Sequence, residues 1–343
     1  MTLEACPRPL SQAYDLALVD LDGVVYRGPV AIPHAADSLA AARAAGMGVV
    51  FITNNASREP GAVADQLDSL GIAAAADEVL TSAQAAAALL AAEVPAGAPV
   101  LVVGGVGLVT AVRDAGFALV TSADDAPVAV VQGFAPEVGW RELAEAAYAV
   151  QRGARHVVSN LDLTLPNERG LAPGNGSLVG AVVNATGVRP VSAGKPEPSM
   201  YRLAVERRGA RRPLVVGDRL DTDLGGARAA GYPGLHVLTG VSDARDAVLA
   251  APGERPTYIS VDLRGLLEAH PAPEAGADGW WTCRGRAAKV ADGELTFDGT
   301  GGVDIDLVRA ACAAAWEAAD AGRALRAETL PVLTPVADGV HGH

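Results

Sequence analysis

Short runs of apolar, often β-branched residues alternate with Ala-rich helical stretches along almost the whole chain, the pattern of a parallel α/β sheet. It predicts strands at 16–20 and 48–55, with helices near 35–45, 59–71 and 82–92, Gly71 acting as a stop. The alternation then restarts. Strands are expected at 99–105, 117–122, 128–134 and 156–160, with helices at 140–151 and 177–187. Beyond these come a strand at 190–194, a helix at 198–208, a strand at 213–217, a helix at 223–230 and a strand at 234–240. The stretch between Thr53 and Lys195 is too long for one crossover and carries its own strands and helices. The expected organisation is therefore a discontinuous Rossmann-like core over 14–83 and 189–265, interrupted by an α/β domain over 84–188. After a Pro/Gly/Ala-rich linker, a small α+β appendage over 272–343 is expected to hold a hairpin within 279–299 and a helix at 307–321.

The predicted strand ends share a feature. Asp20 and Asp22 follow the first strand, Thr53, Asn54 and Asn55 the second, Lys195 the strand at 190–194, and Asp218 the strand at 213–217. In an open parallel sheet, ligands bind outside the carboxyl ends of the strands, so these side chains are expected at one edge. Two carboxylates ~4 Å apart repel by about 4 kcal/mol at an effective dielectric near 20, and three acids can converge stably if they share a cation. Magnesium suits them, because it prefers oxygen ligands and keeps waters that a substrate phosphate can replace.

Composition narrows the partners. With 27 basic against 40 acidic residues the net charge is −13, which argues against nucleic acid or an anionic membrane but does not exclude a small phosphorylated metabolite, since a local cation can reverse the sign at one site. Cys6, Cys283 and Cys312 are too few and too scattered for a disulfide framework or a zinc cluster. The first residues have neither a basic start nor an apolar run of signal-peptide length, and no apolar stretch approaches the ~20 residues that span a bilayer, so a cytoplasmic protein is expected.

The order D-x-D-G-x-x-Y, T-N-N, G-K-P and G-D-R-x-x-T-D resembles the haloacid dehalogenase superfamily of phosphatases, in the subfamily with a large α/β cap between the second and third motifs. The resemblance covers about 14–265. It implies that Asp20 is the nucleophile and Asp22 the general acid and base, with Gly23 turning the backbone past the phosphate. Magnesium would be held by the Asp20 carboxylate, the Asp22 carbonyl and Asp218, and phosphoryl oxygens by Thr53, Asn54 and Lys195, with Asn55 beside them. Asp223 would steady Lys195 or a metal-bound water. Asp22 also argues against halide chemistry, since the dehalogenases of this fold lack that second acid.

Other readings of the same residues are weaker. D-x-D-G could open a calcium loop, but Val24, Val25 and Ala31 occupy positions that need an acid, a glycine and a glutamate. The stretch 100–112, with Gly105 and Gly107 between a strand and a helix and Asp124 or Asp125 downstream, is the best case for a nicotinamide-dependent oxidoreductase, though Thr110 stands where a third small residue belongs. In the inserted domain, the loop 159–177 offers Asn160, Asp162, Thr164 and Asn167 to a polyol and no ring to stack on a flat substrate. That composition favours glycerol 3-phosphate first and 2-phosphoglycolate second. A plainer reading has Ser177 cap the next helix. The appendage lacks a catalytic constellation. It is expected to be dispensable for the site, to serve docking or formation of a homo-oligomer, and to hold Trp280, Trp281 and Trp316 in a small core of its own.

Overall fold

The computed structural model describes residues 2–167, 169–299, 302–323 and 325–335. Its contacts divide the chain into two compact units, one formed by the chain up to Val50 and from Arg208 onward, the other by Phe51–Arg207.

In the first unit, the run Leu16–Val19 is buried at every position, as a strand covered on both faces must be. It pairs in parallel with Pro213–Gly217, Leu16 opposite Pro213 and Val19 opposite Val216. Gly234–Val237 and then Tyr258–Ser260 continue the sheet on that side. On its other side Leu16–Val19 neighbours Gly48–Thr53. Within this sheet Gly48–Thr53 and Val79–Thr81 thus lie to one side of Leu16–Val19 and the three last strands to the other. The end of Leu16–Val19 is therefore a topological switch point, where such sheets bind ligands. The strand Gly48–Thr53 crosses the division of the chain, and its last residues pair with Val79–Thr81 in the second unit.

The second unit contains a five-stranded parallel sheet in the order Val191–Ser192, Arg155–Val158, Ala129–Gln132, Pro99–Val103, Ala118–Val120. The helix Ser82–Ala91 opens with a reciprocal cap: the Thr81 hydroxyl accepts the Gln84 N–H at 3.3 Å, and the Gln84 side chain accepts the Thr81 N–H at 3.0 Å. Helix Trp140–Gln151 has the expected bounds, with Glu142 reaching back to the Gly139 N–H.

One boundary differs from expectation. The strand expected at 190–194 in the core pairs, as Val191–Ser192, with Arg155–Val158 in the second unit's sheet. Val79–Thr81 extends the sheet of Leu16–Val19 beyond Gly48–Thr53, as a core segment over 14–83 implies, although Phe51–Thr81 groups by its contacts with the second unit. So short a run as Val191–Ser192 has no period to say which sheet it joins. The hairpins Tyr26–Arg27/Val30–Ala31 and Thr164–Asn167/Gly170–Pro173 were unforeseen for the same reason.

The appendage belongs to the first unit. Four antiparallel strands, Glu274–Ala275, Trp281–Cys283, Arg286–Ala291 and Glu294–Phe297, support the helix Ile305–Asp320. This helix has no core of its own. Val308, Ala311, Cys312, Ala315 and Trp316 join one apolar cluster with Leu220, Leu224, Ala247, Val248 and Ile259. Trp316 is 1% exposed and donates its indole N–H to the Ala247 carbonyl at 2.9 Å. Arg255, itself buried, reaches Asp320 at 2.8 Å and lies over the Trp316 ring. Trp280 and Trp281 are only partly buried.

Candidate active site

Two sets of functional side chains stand at strand ends, one in each unit. In the first unit, Asp20 follows Leu16–Val19, and its N–H continues the ladder to the Val216 carbonyl at 2.9 Å, which fixes where the carboxylate starts. Asp218 follows Pro213–Gly217. Asp223 is delivered by a wide turn, Leu220–Leu224, in which the Leu224 N–H reaches back five residues to the Arg219 carbonyl. Widened turns of this kind are frequent at functional sites. One carboxylate oxygen from each of Asp20, Asp218 and Asp223 lies within 4.8 Å of the others. Asp218 and Asp223 are each 1% exposed. Asp218 Oδ2 accepts the Val241 N–H at 2.7 Å, and Asp223 Oδ2 accepts the Arg219 N–H at 3.2 Å.

Glycines clear the space for this cluster. A Cβ on Gly240 would lie 1.8 Å from Asp218 Oδ2, and one on Gly23, whose φ is +82°, would lie 2.4 Å from the same atom. A Cβ on Gly217 would lie 2.2 Å from that of Asp223. The Gly23 turn is pinned by its own N–H to the Tyr26 carbonyl (2.8 Å) and by the Thr239 hydroxyl, which donates to the Gly23 carbonyl at 2.6 Å. Arg27 in turn donates to the Thr239 carbonyl. Hard oxygen donors converging from three segments fit a divalent cation such as magnesium. Asp223, expected behind Lys195 or a metal-bound water, contributes an oxygen to the cluster itself. Asp22 is exposed on the turn, where it forms an isolated bridge with Tyr26. Asp221, the remaining acid of the motif, is held by Arg219 at 2.8 Å. Burial works to raise its carboxyl, but that guanidinium and the Thr222 N–H outweigh it and keep the group below the usual range. Thr239 and Gly240 were not singled out from sequence, although Gly240 is another glycine just past a strand end.

In the second unit, Asn54 is the hub. Its Oδ1 accepts the Lys195 N–H at 2.8 Å, and its Nδ2 donates to the Lys195 carbonyl at 3.2 Å and to Asp162 Oδ2 at 3.1 Å. Its carbonyl accepts from Ser82 Oγ at 2.6 Å and from Asn160 Nδ2 at 2.7 Å. Lys195 is 5% exposed, and its Nζ lies 3.5 Å from the Ile52 carbonyl. Gly194 makes this junction feasible, since a Cβ there would sit 2.3 Å from the Ser159 carbonyl. Thr53 is buried at the strand end, its Oγ1 accepting the Asn55 N–H. Asn55 spends its Oδ1 on the Ser57 N–H and hydroxyl. Asn160, expected to meet substrate, is buried, with Nδ2 on Asn54 and Oδ1 on the Asp162 N–H; Asp162 is half-buried. Thr164 and Asn167 lie on the Thr164–Asn167/Gly170–Pro173 hairpin, where Asn167 accepts from the Arg169 N–H.

The dinucleotide reading fails on geometry. The start of helix Val106–Asp114 is covered by protein: the Gly107 N–H donates to the Ser57 carbonyl, and a Cβ on Gly107 would lie 2.4 Å from the Arg58 carbonyl oxygen. These glycines serve close backbone packing. Asp125 accepts the Ser122 N–H and Asp124 pairs with Arg152, so both acids have local structural roles.

The sequence pattern of the haloacid dehalogenase-like hydrolases matches residues 17–118, and a second HAD-hydrolase-like pattern matches 192–266. A GCN5-related N-acetyltransferase-like pattern matches 283–331, within the appendage. The D-glycerol 3-phosphate phosphatase of Mycobacterium tuberculosis is 46% identical over 325 residues, 91% of this chain and 88% of that one. An acid sugar phosphatase of Staphylococcus saprophyticus is 37% identical over 74% of this chain and 97% of its own. Among solved structures, a glycerol phosphate phosphatase from Mycobacterium tuberculosis in complex with magnesium superposes with a TM-score of 0.82 at 45% identity, covering 90% of this chain and 92% of that one. The chain belongs to the haloacid dehalogenase-like hydrolases. Within them it is a phosphatase, an enzyme that hydrolyses phosphoric monoesters.

Proposed function

We propose that this phosphatase hydrolyses glycerol 3-phosphate through an aspartyl-phosphate on Asp20, with magnesium held by Asp20, Asp218 and the Asp22 carbonyl. The observation that carries the reading is the convergence of the Asp20, Asp218 and Asp223 oxygens in a space kept open by Gly23 and Gly240. The 46% identity to a D-glycerol 3-phosphate phosphatase supports the substrate.

An oxygen of Asp20 attacks phosphorus as the bond to the glycerol oxygen breaks, and Asp22 delivers a proton to that leaving oxygen. Water then attacks the aspartyl-phosphate, Asp22 takes its proton, and inorganic phosphate leaves with Asp20 restored. A bound magnesium ion supplies positive charge against the phosphoryl oxygens. Thr53, the Asn54 backbone and Lys195 answer the same charge as it develops. Gly23 lets the backbone turn past the phosphate. Asp223 tunes the acid cluster through its own oxygen. In the second unit, Asp162 meets the hydroxyls of the glycerol part and would repel the carboxylate of phosphoglycolate.

The test is kcat/KM for glycerol 3-phosphate, 2-phosphoglycolate, pyridoxal phosphate and a nucleotide, each with magnesium and with excess chelator. Glycerol 3-phosphate is expected to lead, and all activity to vanish in chelator. A preference for pyridoxal phosphate or a nucleotide overturns the substrate; turnover in chelator overturns the metal.

A further inference from the structure

The helix Asn175–Thr186 begins against the loop that carries Asp162. The Gly176 N–H donates to the Asp162 carbonyl at 2.8 Å and the Gly174 N–H to the Leu163 carbonyl at 2.9 Å. Ser177, expected to cap this helix, instead donates its hydroxyl to the Leu163 carbonyl at 2.7 Å. Cβ atoms on Gly174 and Gly176 would lie 2.3 Å from the Asp162 carbonyl oxygen and 2.2 Å from that of Leu161. The loop backbone is thus pressed onto the helix start. One side chain ties the same helix start to the loop from within. Asn175 is 2% exposed, and its Nδ2 donates to the Asn160 carbonyl at 2.8 Å. Asn160 then uses Oδ1 to hold the Asp162 N–H and Nδ2 to hold the Asn54 carbonyl.

Resting on the reading that Asp162 meets the alcohol part of the substrate, we propose that Asn175 is a positioning residue for ester selectivity. It fixes the Asn160–Asp162 segment and so the direction of the Asp162 carboxylate. The phosphate side of the hub has bonds of its own: Ser82 on the Asn54 carbonyl and both bonds from the Asn54 amide to the Lys195 backbone, none of which involves Asn175. Loss of the Nδ2 donor therefore acts on alcohol recognition and spares phosphoryl binding. Displacements of about 1 Å in a positioned group cost on the order of 10²-fold in rate.

The experiment compares glycerol 3-phosphate with nitrophenyl phosphate, which has no diol, in the full-length protein. Asn175→Asp keeps the shape and removes the donor; Asn175→Ala serves should a buried carboxylate prevent folding. Either variant is expected to lower kcat/KM for glycerol 3-phosphate by roughly 10- to 100-fold, mostly through KM, and to change that for nitrophenyl phosphate by less than about 3-fold. Combined with Asp162→Asn, the loss should be no greater than that of the stronger single variant. Equal losses on both esters, or additive losses in the double variant, would overturn the proposal. If Asp162→Asn leaves the preference between the two esters unchanged, the underlying reading of Asp162 is wrong and this proposal goes with it. If Asp162→Asn shifts the preference and the Asn175 variants do not, only the role of Asn175 fails.

Discussion

The two units solve opposite electrostatic problems at their strand ends. The first gathers three carboxylates within 4.8 Å and removes side chains around them, with Asp218 and Asp223 buried. Carboxylate oxygens so placed can share a divalent cation. The second gathers amides around Asn54, and every polar atom of that side chain is matched by a group of the protein. One arrangement groups oxygens that suit a cation and the other pairs amides with groups of the protein. The lesson is that strand ends of the same sheet type can be built for opposite purposes, one for charge and one for positioning, and substitutions should show different dependence on magnesium in the two.

Asp20→Asn is the largest test. Removing the nucleophile should lower kcat by more than about 10³-fold, and removing one of three carboxylates that converge on a cation site should weaken magnesium binding. The rise in melting temperature on adding magnesium should shrink in parallel. Thermal melts with and without magnesium, beside phosphate release, read both effects; an undiminished rise on adding magnesium would contradict the account of the cluster.

The appendage separates from both sites in kind. Its expected independence is not what the packing shows, because Trp316 fills a core shared with Leu220 and Leu224, which flank the turn bearing Asp223. Trp316→Ala should cost about 3–5 kcal/mol, the usual range for a buried tryptophan, and should weaken magnesium-dependent stabilisation as well. Denaturant melts would show it. A variant as stable as the wild type would restore the picture of a dispensable attachment.

The inverse of the acid-to-amide exchange belongs to the hub. Asn54→Asp removes both donors, to Lys195 and to Asp162, and sets a second carboxylate beside the Asp162 oxygen now 3.1 Å from Nδ2. A loss of about 2–4 kcal/mol is expected from unsatisfied groups and like-charge repulsion. Chemical denaturation would detect it, and no magnesium concentration should restore the loss. A neutral or stabilising outcome would remove the contrast between the two strand ends.

How much of this was legible in sequence follows from the same contrast. Asp20 and Asp218 announced themselves because acids ending apolar strands are anomalous, and the strands themselves are continuous buried runs. Asn54 was legible as a residue of the phosphate motif but not as a hub. Its four partners, Ser82, Asn160, Asp162 and Lys195, come from widely separated positions, and asparagine is ordinary at any strand end. Gly174 and Gly176 carry no pattern that reveals their role, which is that their lack of side chains admits the 161–162 backbone. The glycines at 105 and 107 misled for the same reason: close backbone packing and phosphate binding require the same residue. The two-residue strand Val191–Ser192 carried no periodic signal, so its pairing could come only from the tertiary structure.

The smallest test concerns histidines that neither site uses. His156, in the second unit, is 3% exposed, with Nε2 on Gln132 Oε1 at 3.0 Å; burial pushes its pKa down to about 4. His270, in the first unit, is equally buried, with Nε2 on the Gly265 carbonyl; burial again lowers it to about 4, with Arg309 adding to the effect. In the unfolded chain each takes up a proton near pH 6.5, whereas the folded form resists until about 4. Their contribution is therefore complete above pH 6.5 and drains away as the pH falls toward 4, by at most about 1.4 kcal/mol per pH unit for each group. Between pH 7 and 5 each should account for no more than about 2 kcal/mol of lost stability. His156→Gln removes one of these groups, so the gap between wild type and variant should narrow by that amount as the pH is lowered from 7 to 5. Urea melts at the two values measure the gap. A gap that stays constant would mean that His156 does not couple to acid unfolding, and one that widens would reverse the assigned direction of its shift.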